Sequence, residues 1–87
     1  MVSVLIKYSL VDYDSCKLIV EDLAICGNHY QILSRETFMD RSDPSILFTQ
    51  IAIKDEQKAQ MLIQSELLSS ESPLKKLKSP YWISLMK

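Results

Sequence analysis

Apolar and polar positions alternate with period two at both ends of the chain and recur at helical spacing in the middle. Val2, Val4 and Ile6 alternate with Ser3, Leu5 and Lys7, a β-branched pattern that predicts a strand over Val2–Tyr8. Tyr8-Ser9-Leu10-Val11 either extends that strand or begins a turn. Asp12-Tyr13-Asp14-Ser15 then supplies side-chain oxygens able to cap a helix, Asp12 or Asp14 above all. Cys16, Ile19, Val20 and Leu23 fall on one helical face, with Lys17, Glu21 and Asp22 opposite, so a first helix is predicted from about Ser15 to Ile25 or Cys26. Gly27-Asn28 suits its end.

The second half carries the same signals in a different order. His29 to Met39 or Asp40 is extended and half polar, and Arg41-Ser42-Asp43-Pro44-Ser45 is a cluster of turn formers. Ile46–Ile53 alternates again, with Leu47, Thr49, Ile51 and Ile53 on one face, so the two segments are predicted to pair as a hairpin. A second helix is expected from Lys54-Asp55 to about Leu68, its core face formed by Ala59, Leu62, Ile63 and Leu67. Ser69 to Pro73 breaks it, Leu74 to Pro80 is a basic connector, and Tyr81–Met86 closes as a strand. The order strand–helix–strand–strand–helix–strand is that of an α+β ferredoxin-like βαββαβ domain, a four-stranded antiparallel sheet with two helices on one face. At 87 residues the chain is read as a single domain, 1–87.

This arrangement leaves one sheet face open. With Val2, Val4 and Ile6 turned toward the helices, Ser3, Leu5 and Lys7 face outward; by the same alternation so do Phe48, Gln50 and Ala52, and Trp82, Ser84 and Met86. The expected open face therefore mixes Leu5, Phe48, Trp82 and Met86 with short polar side chains. Since 47% of the chain is hydrophobic, part of that material is expected against a partner, most simply in a homodimer. Lys75, Lys76 and Lys78, close to Tyr81 and Trp82, would supply rim charges toward a protein or an RNA backbone.

Charge narrows the function classes. A net charge of −1 lacks the surplus of Lys and Arg expected of a dedicated nucleic-acid binder, although a local basic patch leaves RNA contact open. The single Gly excludes glycine-rich nucleotide-binding loops. No apolar run approaches the roughly 20 residues of a membrane span and no cleavable leader is visible, so a cytoplasmic protein without membrane contact is expected. Cys16 and Cys26, ten positions apart on one helix, would be separated by about 15 Å along its axis and are expected as reduced thiols. Two cysteines and one histidine lack the spacing of a zinc site, and neither a metal nor another cofactor is expected.

The residues that could carry chemistry are few. Asp12 and Asp14 lie where a strand runs into a helix, and a carboxylate there, doubled by a second chain, could hold a divalent ion for phosphodiester cleavage. His29 could act as an acid or base near neutral pH, and Arg35 could grip a phosphate. The more economical expectation is that an Asp caps the helix and that Arg35, Glu36 and Asp40 decorate a solvated edge strand.

The order of elements and the small size resemble the ferredoxin-like group around the CRISPR-associated spacer-acquisition nuclease and the GhoS-type antitoxins. The resemblance spans most of the chain as a pattern of elements. It implies either messenger-RNA cleavage or a regulatory role. The nuclease pattern places an Asp at the end of strand one, whereas here that strand ends Lys7-Tyr8-Ser9 and the first Asp is Asp12. The expected function is thus a small regulatory module that binds a protein partner stoichiometrically, as an antitoxin or a phage or plasmid inhibitor does. An endoribonuclease is the alternative and a small-molecule sensor the third reading.

Overall fold

A computed structural model describes residues 1–25, 30–67, 69 and 73–86. The β-branched alternation at the start forms β1 (Val2–Ser9), and Leu10–Asp12 then turn through one 3₁₀ turn into α1 (Tyr13–Ile25). β2 (Ile32–Met39) and β3 (Ile46–Ile53) follow, then α2 (Glu56–Met61), which continues as a π-helical stretch over Leu62–Leu67. A short 3₁₀ turn at Pro73–Lys76 leads to β4 (Trp82–Met86). The strands form one sheet in the order β2-β3-β1-β4, and every pairing is antiparallel. This is the ferredoxin-like α+β arrangement expected from the sequence, with β1 and β3 at the centre.

Alternation decides which residues enter the core. Val4, Ile6 and Tyr8 of β1 and Leu47, Ile51 and Ile53 of β3 are buried on the helix side. Cys16 and Val20 of α1, Ala59 and Leu62 of the second helical segment, and Leu74 of the connector close over them. Ile83 and Leu85 extend this layer from β4. The helix-side selection read from period two therefore holds in β1, β3 and β4.

Helix entry differs from the expectation. Asp12 does not cap α1. Ser9 is the N-cap of the preceding turn and its side chain accepts from the Val11 amide, while Asp14 lies in the first turn of α1, where a negative charge suits the helix dipole. Asp12 is drawn inward instead, only 1% exposed, to accept from the Lys78 and Ser79 amides. Cys16 is a buried free thiol; Cys26, His29 and the Gly27-Asn28 stop lie outside the described residues.

Two local devices set the β2–β3 hairpin. Asp40 Oδ1 accepts from the Ser42 amide and hydroxyl at 2.9 and 2.8 Å, and Asp43 Oδ1 accepts from the Ser45 amide and hydroxyl, the amide at 3.0 Å. These Asx turns fold the Asp-Arg-Ser-Asp-Pro-Ser segment back on itself. The Ser45 carbonyl accepts from the Leu10 amide at 2.8 Å, pinning the hairpin tip to the end of β1. At the other end of β2, Gln31 has φ +56°, a left-handed value that a side chain tolerates poorly.

Candidate functional site

The face of the sheet away from the helices is organised in cross-strand rows. Register places Phe38 opposite Phe48, Phe48 opposite Lys7, and Lys7 opposite Trp82, giving a row Phe38–Phe48–Lys7–Trp82 across all strands. The Phe38 and Phe48 rings stack with centroids 5.5 Å apart at 22°. The Lys7 ammonium lies 6.0 Å from the Phe48 centroid, within reach of a cation–π attraction. The next row runs Glu36–Gln50–Leu5–Ser84, and the one beyond it Ser34–Ala52–Ser3–Met86. Gln50 Nε2 donates to Ser3 Oγ at 3.1 Å, which ties the two central strands together on this face.

A groove of about 660 Å³ opens along these rows, lined chiefly by Leu5, Ile46, Phe48, Tyr81, Trp82 and Met86. Trp82 and Met86 are each 48% exposed. The four apolar residues expected to act as anchors, Leu5, Phe48, Trp82 and Met86, are thus brought to one concave surface. Ile46 and Tyr81 join them, and Phe38 stacks on Phe48 beside the groove. Phe38 was legible only as an aromatic in a polar strand, and its partner follows from the hairpin register. A second concavity, lined by Leu74, Lys75, Lys78 and Ile83, shares Ser79, Pro80, Tyr81 and Trp82 with the first. Lys75 stands 5.9 Å from the Tyr81 ring centroid, and Lys75 and Lys78 line this second concavity, while Lys76 is exposed and lines neither.

The candidate catalytic residues are not gathered in the same way. Both oxygens of Asp12 are engaged by the connector, Oδ1 accepting from the Lys78 amide at 2.8 Å and Oδ2 from the Ser79 amide at 3.0 Å. The carboxylate closes the sheet's far end and is buried doing so. Arg35 pairs with Ile51 in the sheet, which directs it toward the helix side. There it borders a cleft of about 170 Å³ with Tyr13, Lys17, Glu21 and Thr37, which neither Asp12 nor Asp14 lines. His29 lies outside the described residues. Among the described residues, no three His, Cys, Asp or Glu side chains are grouped to hold a metal ion.

Beneath α1 the interior is polar at one point. The hydroxyls of Tyr8 and Thr49 share a hydrogen bond of 2.8 Å, and those of Thr49 and Thr37 share one of 3.0 Å. Burial pushes the Tyr8 phenol above its ordinary 10.0. Burial likewise pushes the neighbouring Cys16 thiol from 9.0 to about 11, with the Asp12 charge a smaller contributor. A thiol held that far up is protonated at neutral pH and makes a poor nucleophile.

With this geometry in hand, likeness to known proteins bears on the fold. No protein-family model and no curated protein matches the chain. Solved structures do. A conserved protein from Methanosarcina mazei superposes with a TM-score of 0.64 at 18% identity, covering 99% of this chain and 90% of its own. A protein from Deinococcus radiodurans, provisionally described as an antibiotic biosynthesis monooxygenase, gives 0.63 at 14% identity, covering 100% and 91%. Another antibiotic biosynthesis monooxygenase gives 0.57 at 16% identity, covering 100% and 97%. The chain is similar to these over its whole length, at identities that speak for shared architecture alone. None of the three descriptions names a nuclease or an antitoxin, and the resemblance that the element order suggests is not confirmed by them. Among the described residues no helix is long and apolar enough to cross a membrane.

Proposed function

We propose that this protein is a small interaction module that acts by stoichiometric binding through its open sheet face, in the manner of an antitoxin or inhibitor, and that the first surface it takes is a second copy of itself. The observation that carries this reading is the apolar groove. Leu5, Phe48, Trp82 and Met86 converge on the sheet face turned away from the described helices. Exposed aromatic anchors around a depression are what protein interfaces bury at their centres. The area also supports it. At about 4.8 Å between strands and about 3.3 Å per residue, such a sheet presents a flat footprint of roughly 500 Å² before side-chain relief. With its rim of Tyr81 and Lys75, that approaches the roughly 800 Å² per partner of a stable interface.

The ribonuclease alternative has less to rest on, because the Asp12 carboxylate is committed to two backbone amides and Arg35 lies on the other side of the sheet from the groove. A monooxygenase activity, named for two of the structural neighbours, has no residue of this chain in its favour at the identities involved.

Sedimentation velocity over a concentration series tests the proposal. Wild type is expected to associate at micromolar concentration. Trp82→Ala is expected to keep the wild-type circular dichroism spectrum and weaken association at least tenfold, the loss of a single interface anchor. A wild-type chain that stays monomeric throughout, or a Trp82→Ala variant that associates as well as wild type, would overturn it.

A further inference from the structure

The groove is apolar, but the face around it carries charge of both signs. Lys7 stands in the aromatic row between Phe48 and Trp82, and Glu36 stands in the next row, opposite Gln50. Directly opposed residues of an antiparallel pair share a face, so register sets Glu36 with Gln50 on the open side, at the exposed β2 edge, where it also reaches the rim of the cleft lined by Tyr13 and Lys17. The two charged positions are offset by two strands laterally and two residues axially, which is about 12 Å at ordinary sheet spacings. Asp40 and Asp43 lie close enough to feel the Lys7 charge, yet each already accepts two hydrogen bonds within its own turn.

Covering this face with an apolar surface would strand Lys7 among aromatic rings without water. A buried charge is strongly unfavourable unless it is closely paired, and a partner carboxylate set against Lys7 would add to the field of its own Asp40 and Asp43. A second copy supplies one by symmetry. In a two-fold interface, whatever residue one chain sets against its partner is set against it in return. A two-fold axis in the plane between the sheets, perpendicular to the line from Lys7 to Glu36 and crossing it midway, lays each lysine over the other chain's glutamate. That axis crosses β3 between Phe48 and Gln50, near the middle of the face.

We infer that Lys7 and Glu36 form two reciprocal ion pairs across a face-to-face homodimer and fix its register. This rests on the homodimer reading above and adds the residues that select the partner. The apolar groove supplies attraction to many surfaces. The charge pair makes the chain's own face the matching one, since a partner lacking a carboxylate at that offset brings Lys7 no further counter-charge.

A charge-swap cycle tests it. Dimer dissociation constants are measured by sedimentation velocity for wild type, Lys7→Glu, Glu36→Lys and the double variant Lys7→Glu/Glu36→Lys, with thermal melts to show that each chain is folded. Each single reversal places like charges together and is expected to weaken the dimer by about tenfold or more, and the double variant is expected to recover most of that loss. The neutral variants Lys7→Gln and Glu36→Gln, milder for folding, should weaken it less and in parallel. Singles that dimerise like wild type, or a double variant as weak as the two losses combined, would overturn the pairing while leaving the dimer intact. A wild-type chain that never dimerises would remove the reading on which the pairing depends.

Discussion

Asp12 and Ser79 lie 67 positions apart in sequence and are joined by a hydrogen bond of 3.0 Å, the Ser79 amide donating to Oδ2. The adjacent Lys78 amide donates to Oδ1 at 2.8 Å. One carboxylate thus fastens the last connector to the start of the first helix and sets where β4 enters the sheet. Asp12→Ala leaves both amides without that acceptor and is expected to lower stability by about 2–4 kcal/mol. Asp12→Asn keeps one acceptor oxygen and should lose about half as much. Urea denaturation of both variants reads this out. An Asp12→Ala chain as stable as wild type would mean the connector is held by other contacts.

The Cys16 thiol gives a pH dependence. Its value rises from 9.0 in the open chain to about 11 in the folded one, because burial disfavours the thiolate. The folded state therefore holds its proton where the unfolded state has lost it. The stabilisation is complete below pH 9.0 and is lost as pH rises from there toward 11. Cys16→Ala should flatten the fall in stability across that range. Alkylation of native Cys16 by iodoacetamide at pH 8 should be far slower than in urea.

Gln31 sits at φ +56° immediately before β2. Glycine has no Cβ to crowd the following carbonyl at such a value, so Gln31→Gly is expected to stabilise the fold by about 1 kcal/mol. A shift of the urea midpoint to higher concentration with an unchanged slope checks it. A destabilised variant would show that the Gln31 side chain contributes contacts worth more than the strain.

Asp40 and Asp43 are held below the ordinary carboxylate value of 3.8, Asp40 chiefly by the Ser42 amide and Asp43 chiefly by the Ser45 hydroxyl. With depressed folded values, their contribution is fully present above pH 3.8 and disappears as pH falls through those lower values. The Ser42 and Ser45 amide resonances, followed by NMR, should move at a pH below 3.8. Movement at or above 3.8 would mean the turns are open in solution.

Much of this architecture was written in local pattern. β3 runs over Ile46–Ile53 as the alternation indicates, and the outward set Leu5, Phe48, Trp82 and Met86 follows from period two because a pleated strand leaves no other choice. What could not be read were relationships that depend on distant segments. A capping role for Asp12 is the cheapest local use of that side chain, and only the arrival of Lys78 and Ser79 draws it elsewhere. Thr37 and Thr49 read as ordinary strand residues, yet register brings their hydroxyls together under Tyr8. The opposition of Phe38 to Phe48 and the offset of Lys7 from Glu36 likewise exist only once the hairpin has fixed its register.

The pairing of β1 with β4 has a topological consequence. Ser3 lies directly across from Met86, so the first and last strands finish side by side at one corner of the sheet. Antiparallel neighbours in that position are a turn short of being a hairpin. A linker of a few residues could join them into a closed ring, and the chain could then be opened at the Asp40–Ser45 turn to give a permuted order of the same strands. Such a chain would give up the Asp40 and Asp43 turns, so its β2–β3 register would rest on the strands' own ladder and side-chain pairs.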